Sequence, residues 1–128
     1  MIVGIGLDLV EIERVSRMVS INEERALKRL FTFREVDYAS RHAQPARHYA
    51  ARLAAKEAAY KALSGNDLAR AVSWKDIEIV MRADGQPMIE FHGHAKRRAA
   101  ELGVTRAWVT LTHSETTAAA VVVLEDIR

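Results

Sequence analysis

The chain has 128 residues, 49% hydrophobic and 28% charged, with a formal charge of +2; this is the make-up of one globular domain over residues 1–128, with a core modest enough to gain from oligomerisation. It has no cysteine, which excludes disulfides, thiolate nucleophiles and cysteine-held zinc or iron–sulfur centres. The opening MIVGIGLDLVEI lacks a basic leader, and the apolar run 118–124 is too short for a bilayer, so a soluble cytoplasmic protein without signal peptide or membrane span is expected.

Residues 2–10, IVGIGLDLV, predict a strand. Val3, Ile5, Leu7 and Leu9 share one face, and Gly4, Gly6, Asp8 and Val10 share the other. The two glycines make that second face small, so a neighbour can approach closely. A short helix is expected from about Ile12 to Val19 and a second over 22–31. TFRE (32–35) fits a capping box, with Thr32 as N-cap and Glu35 three residues on, opening a third helix. Pro45 breaks the pattern. An alanine-rich helix then runs to about Leu63 and stops before Gly65.

The second half changes character. Residues 76–81 and 88–91 read as strands around the turn 83–87. A helix over 93–103 closes on a glycine, and 106–113 and 118–126 read as a hairpin joined by SETT. The expected class is α+β: a mostly antiparallel sheet with helices inserted after the first strand.

Within this frame a few residues can carry chemistry. Asp8 either marks the exit of its strand or serves as a metal-ligating or charge-sensing carboxylate. Buried without a partner it would cost several kcal/mol, roughly, so it requires a cation or hydrogen bonds. Its glycine-lined face leaves room for a ligand. Glu57 and Lys61 are four apart and share a helix face. Six of the thirteen residues in 51–63 are alanine, which favours helix and close packing. The pair is either a surface ion pair or a Mg²⁺-holding carboxylate beside a phosphate-holding ammonium. His113 ends a strand, where an imidazole is either structural or placed for phosphate and proton transfer. His42, His48, His92 and His94 show no zinc-ligand spacing and read as structural or solvated. DGQP (84–87) reads as a hairpin turn; its glycine and proline also suit a flat edge against an adenine ring. The run KRR (96–98) reads as a solvated helix face. Basic residues crowd the first half, including Arg14, Arg17, Arg25, Arg29 and Arg34. That bias suits an anionic partner without choosing between nucleic acid, acidic protein and nucleotide.

Three blocks together, GIGLDLVEIERV (4–15), FTFREVDYA (31–39) with ARLAAKEAAYKAL (51–63), and VTLTHSETTAAAVVV (109–123), resemble the holo-[acyl-carrier-protein] synthase family of small 4′-phosphopantetheinyl transferases. DGQP resembles the family's glycine–proline turn. The likeness runs the length of the chain. It implies transfer of 4′-phosphopantetheine from coenzyme A to a serine of apo-acyl carrier protein, in fatty-acid synthesis. Residue by residue, it implies that Asp8 and Glu57 bind Mg²⁺ and that Lys61 contacts phosphate. His113 would lie near the coenzyme A phosphates and the Gly85–Pro87 turn near its adenine, with Arg14 and, more weakly, Arg17 docking the carrier. Glu57, directly or through water held by the metal, is the candidate base. Two local departures, Leu53 and the Ser64 before Gly65, touch packing and the helix exit. The resemblance also implies a homotrimer with active sites between subunits, setting Asp8 of one opposite Glu57 of the next. The same chemistry on polyketide or peptide carriers is the alternative. A basic nucleic-acid-binding module is a remote one, lacking aromatic interleaving or a recognised motif.

Overall fold

The structure, a computed structural model, describes residues 1–127. Strand β1 (Ile2–Glu11) leads into α1 (Ile12–Ile21), α2 (Glu23–Leu30), α3 (Phe33–Ser40) and the long α4 (Pro45–Ala62). A one-turn helix α5 (Asp67–Arg70) and a 3-10 turn at Trp74–Asp76 follow. Then come β2 (Ile77–Met81), β3 (Pro87–Phe91), α6 (Gly93–Glu101), β4 (Arg106–His113) and β5 (Thr117–Glu125). The expected α+β class with antiparallel pairing and inserted helices holds. The strands divide into two sheets, β1–β5–β4 and the β2–β3 hairpin. β5 is central in the first, because β1 returns across the chain to pair with it.

Pro45 does not interrupt α4; it begins it. Proline suits the first helical position, where no intrahelical partner exists for an N–H. The α3 capping box forms as expected: Thr32 N donates to Glu35 Oε1 at 2.9 Å, and Glu35 N donates to Thr32 Oγ1 at 3.3 Å. The short α5 and the 3-10 turn escape the sequence pattern, since elements of one turn carry no periodicity to read.

The core lies where α4 crosses the inner face of the three-stranded sheet. That face is Gly4, Gly6 and Val10 of β1, Ala118, Ala120, Val122 and Leu124 of β5, and Ala107, Val109 and Leu111 of β4. α4 is buried nearly all round, from Tyr49 to Ala62, so it is the axis of the molecule rather than an amphipathic cover. Glycine is required on the β1 side of this seam. A Cβ on Gly4 would stand 2.3 Å from the Ala62 carbonyl oxygen, and one on Gly6 only 1.8 Å from that of Ala58. Alternate residues of a strand are about 6.7 Å apart, close to the roughly 6 Å of four helical residues. Gly4 and Gly6 therefore meet successive turns of α4. The small face of β1 is filled by this helix; the room foreseen there for a ligand is taken by backbone.

Candidate active site

Asp8 is the next residue on the glycine face of β1, where the strand leaves the cover of the seam. Its Oδ1 accepts from Lys61 Nζ at 2.9 Å, and the same ammonium donates to the Leu7 carbonyl at 3.1 Å. The other oxygen, Oδ2, is buried with no donor from the protein. Glu57, one helical turn before Lys61, sets its carboxyl against that of Asp8. Asp8 and Glu57 thus meet within one chain. The expectation that Asp8 faces Glu57 of another subunit is corrected by the close β1–α4 docking, which brings both onto one edge of the seam.

Two carboxylates in contact cannot both hold a full charge cheaply. Burial, then the abutting Asp8, push Glu57 up to about 7, with Arg14 and Lys61 pulling the other way. Burial opposes the charge on Asp8 too, but the Glu57 carboxyl and the Lys61 ammonium outweigh it and hold Asp8 below its usual range. A proton on Glu57 is the one donor within the pair that can satisfy Asp8 Oδ2. A cation would do the same for both carboxylates at once. An all-oxygen donor set with an unfilled acceptor suits a hard divalent cation such as Mg²⁺.

The remaining sequence candidates lie apart from this pair. Arg14 is exposed on α1, with its charge reaching Glu57. Arg17, also exposed, pairs loosely with Glu13 of its own helix at 4.0 Å. His113 ends β4 opposite Ala118, two residues along β5 from the Ala120 that faces Asp8. Its Nδ1 lies 3.2 Å from the Ser114 carbonyl, and it acts electrostatically on His48 of α4. Gly85, with φ of +86°, forms the tip of the β2–β3 hairpin. Pro87 lines a groove with Arg82, Arg106 and Trp108 rather than the Asp8–Glu57 pair.

Arg52 was not foreseen. It is 2% exposed, yet Nε and Nη2 have no acceptor. Nη1 donates to the His48 carbonyl at 3.2 Å, and the guanidinium lies 4.3 Å over the Tyr38 ring. His48 stacks on His42 at 4.0 Å. Burial and then the charges of His42, Arg52, His113 and Arg47 push it down to about 4. The i, i+4 series His48, Arg52, Lys56 within the alanine run was the available signal. Lys56 is itself fully buried. It donates to the Trp74 and Ile77 carbonyls and pairs with the buried Glu35 at 2.8 Å. Arg98 is not solvated as its KRR run suggested: its Nε and Nη2 donate to the Leu63 and Ser64 carbonyls at 2.7 and 3.0 Å, capping the end of α4.

A second acidic group, Glu78, Glu90 and His92, is compact enough to hold a cation. It is already answered. Arg34 bridges both carboxylates, Thr32 donates to Glu78, and His92 Nε2 lies 3.0 Å from it. Burial raises Glu78, but these partners, Arg34 foremost, bring it down to about 2.

The model of the 4′-phosphopantetheinyl transferase superfamily matches residues 4–122. The holo-[acyl-carrier-protein] synthase of Geobacter sulfurreducens is 42% identical over 125 residues, covering 98% of each chain. Among solved structures, that of the Neisseria meningitidis holo-[acyl-carrier-protein] synthase superposes with a TM-score of 0.84 at 29% identity, covering 98% of this chain and 99% of that one. The Bacillus anthracis synthase, solved in complex with CoA (3′,5′-ADP), gives a TM-score of 0.77 at 31% identity, covering 98% and 97%.

Proposed function

The chain belongs to the holo-[acyl-carrier-protein] synthase family of the 4′-phosphopantetheinyl transferase superfamily, and from that premise we propose that it transfers 4′-phosphopantetheine from coenzyme A to a serine hydroxyl of apo-acyl carrier protein. The serine oxygen forms a bond to the phosphorus bearing pantetheine. The bond from that phosphorus to the bridging oxygen breaks, and adenosine 3′,5′-bisphosphate leaves. The observation that carries the reading is the Asp8–Glu57 pair beside Lys61, with one buried carboxylate oxygen lacking a donor.

Asp8 and Glu57 would hold Mg²⁺, which when bound neutralises pyrophosphate charge. Lys61 holds a phosphate oxygen and moves from Asp8 to do so. Glu57 takes the serine proton: a proton affinity near 7 suits a general base at neutral pH. A cation held by the same carboxyl lowers that affinity, so the two roles trade against each other. Arg14 and Arg17 dock the acidic carrier.

The outer face of the three-stranded sheet supports a homotrimer. Ile5, Val123 and Trp108 lie in one row across three strands, with Leu7 and Val121 beside them. Ile5, Leu7 and Leu9 are 66%, 59% and 64% exposed, a patch that calls for a partner. His113 and the Gly85–Pro87 turn do not reach Asp8 in their own chain, so a neighbouring subunit is the source from which they would complete the coenzyme site. No helix among the described residues is long and apolar enough to cross a membrane. The cytoplasm, where the two substrates are expected, is the proposed compartment.

The test is mass spectrometry of apo-carrier incubated with coenzyme A and Mg²⁺. The phosphopantetheinyl mass gain is expected, with turnover cut sharply by Asp8→Ala or Glu57→Ala in folded protein. Near-normal transfer by both variants at limiting Mg²⁺ would sink the metal assignment. Polyketide and peptide carriers in the same assay define the carrier range.

A further inference from the structure

Glu78 and Glu90 stand directly opposite each other in the β2–β3 hairpin. Like charges at facing positions of an antiparallel pair repel, and a two-stranded hairpin is marginal by itself. These strands form a sheet of their own, so their alignment needs support from another element. Arg34 of α3 supplies it. Its Nη2 donates to Glu78 Oε1 at 2.7 Å and also to Glu90 Oε2, and its Nε donates to Glu78 Oε2 at 3.2 Å. Thr32 Oγ1 donates to Glu78 Oε2, and His92 Nε2 lies 3.0 Å from Glu78 Oε1.

Arg34 sits in the first turn of its helix, where the helix dipole disfavours a cation. Its place runs against local preference and is explained by the two carboxylates it spans. Arg34 thus pins the register of the hairpin at the end away from the turn. Three pairs further along, Pro87 faces Met81 at the mouth of the turn. The turn is closed by Gly85 N donating to the Arg82 carbonyl and Arg82 N to that of Gln86, both at 2.9 Å. It therefore moves with its strands. A slip of one residue would carry Pro87 to the other face of the hairpin.

We propose that Arg34 is a positioning residue for the coenzyme: by spanning Glu78 and Glu90 it fixes the register of β2–β3 and with it the place of the Gly85–Pro87 turn. The assignment rests on the transferase reading above, in which that turn completes a coenzyme site. Arg34 acts through the hairpin, not on the reacting atoms. The carboxylates it holds lie on β2 and β3, apart from the carrier-docking helix α1. Its loss therefore falls on coenzyme A and spares the carrier. A merely structural cation would instead set the folded fraction, and so the amount of active enzyme, with no change in KM.

The test is steady-state transfer to apo-carrier by the full-length protein, with KM measured for each substrate in turn. Arg34→Met leaves the two carboxylates facing each other; it is expected to raise the KM for coenzyme A about fivefold and leave that for the carrier unchanged. Adding Glu90→Gln removes one of the opposed charges and lets an amide donate to Glu78. The double variant is expected to bring the KM for coenzyme A back to within about twofold of wild type. Arg34→Lys keeps a cation at Glu78, and so the fold, but loses the fork that spans both carboxylates; a rise of about threefold is expected. Hydrogen exchange of the 78–90 amides should quicken in Arg34→Met and slow again in the double variant. An unchanged KM for coenzyme A, an equal rise for both substrates, or no recovery in the double variant would overturn the assignment. A wild-type chain that gave no mass gain on the carrier would instead overturn the transferase reading, and the inference with it.

Discussion

Two charged clusters in this molecule use the same residue types and come out differently. In the first, Glu35 and Lys56 are both fully buried, and every polar atom has a partner. Glu35 takes the Thr32 and Ile79 amides and the Lys56 ammonium, and Lys56 adds two carbonyls. In the second, Asp8, Glu57 and Lys61 are half open to solvent. One carboxylate oxygen has no donor, and Glu57 is held up at about 7 by burial and by its neighbour. A satisfied buried network ties elements together and has nothing left for a ligand. An unsatisfied one stores a demand that a cation or substrate can meet. The contrast separates structure from chemistry here better than residue type does, and it also sets aside Glu78–Glu90–His92, whose charge Arg34 already answers.

The largest expected effect comes from breaking the frame that both clusters share. Gly6→Ala would place a Cβ 1.8 Å from the Ala58 carbonyl oxygen. Backbone cannot yield there, so α4 must lift. A loss of about 5 kcal/mol or more is expected, seen as a missing cooperative urea transition. Lys56→Met strikes the satisfied cluster and leaves Glu35 buried beside no cation; it should cost about 3–5 kcal/mol in urea midpoint analysis. Activity should fall with the folded fraction and no faster.

Asp8→Asn is the counterpart in the open cluster. Stability should stay within about 1 kcal/mol, while carrier modification falls about a hundredfold or more. A stability loss as large as that of Lys56→Met would erase the distinction between the clusters.

The smallest effect extends the comparison to His48, which neighbours the buried Arg52. His48 is held down to about 4 in the folded chain against an ordinary 6.5. As pH falls the unfolded chain therefore takes up the proton first. The stability tied to neutral His48 is intact above about 6.5 and is lost as pH falls toward 4. His48→Phe should flatten thermal stability across that window and leave it unchanged at pH 8. An unaltered slope would show that His48 is solvated.

Much of this site was legible in the residues. Alternation on β1 separated the Ile5–Leu7–Leu9 face from the Gly4–Gly6–Asp8 face, and the helix spacing aligned Glu57 with Lys61. Both are local periodicities, set by the strand's two-residue and the helix's 3.6-residue repeat. Other features depended on contacts between distant segments. Glu35 was readable as a capping residue because its partner is three residues away. Its role as the acid for Lys56 was not, because that lysine is 21 residues on and the Ile79 amide further still. Arg98 was misread for the same reason: a basic run looks solvated until the open end of another helix is set beside it.

The sequence by itself determined the element types, the two faces of β1 and which residues could bear charge, because those follow from neighbours a few bonds away. Only the tertiary structure decided which charges are satisfied. It seated α4 on the glycines of β1, brought Asp8 to Glu57 within one chain, and left Asp8 Oδ2 and the Nε and Nη2 of Arg52 without partners. Satisfaction is a property of three-dimensional neighbours and of burial, and neither is written in the spacing of residues along a chain.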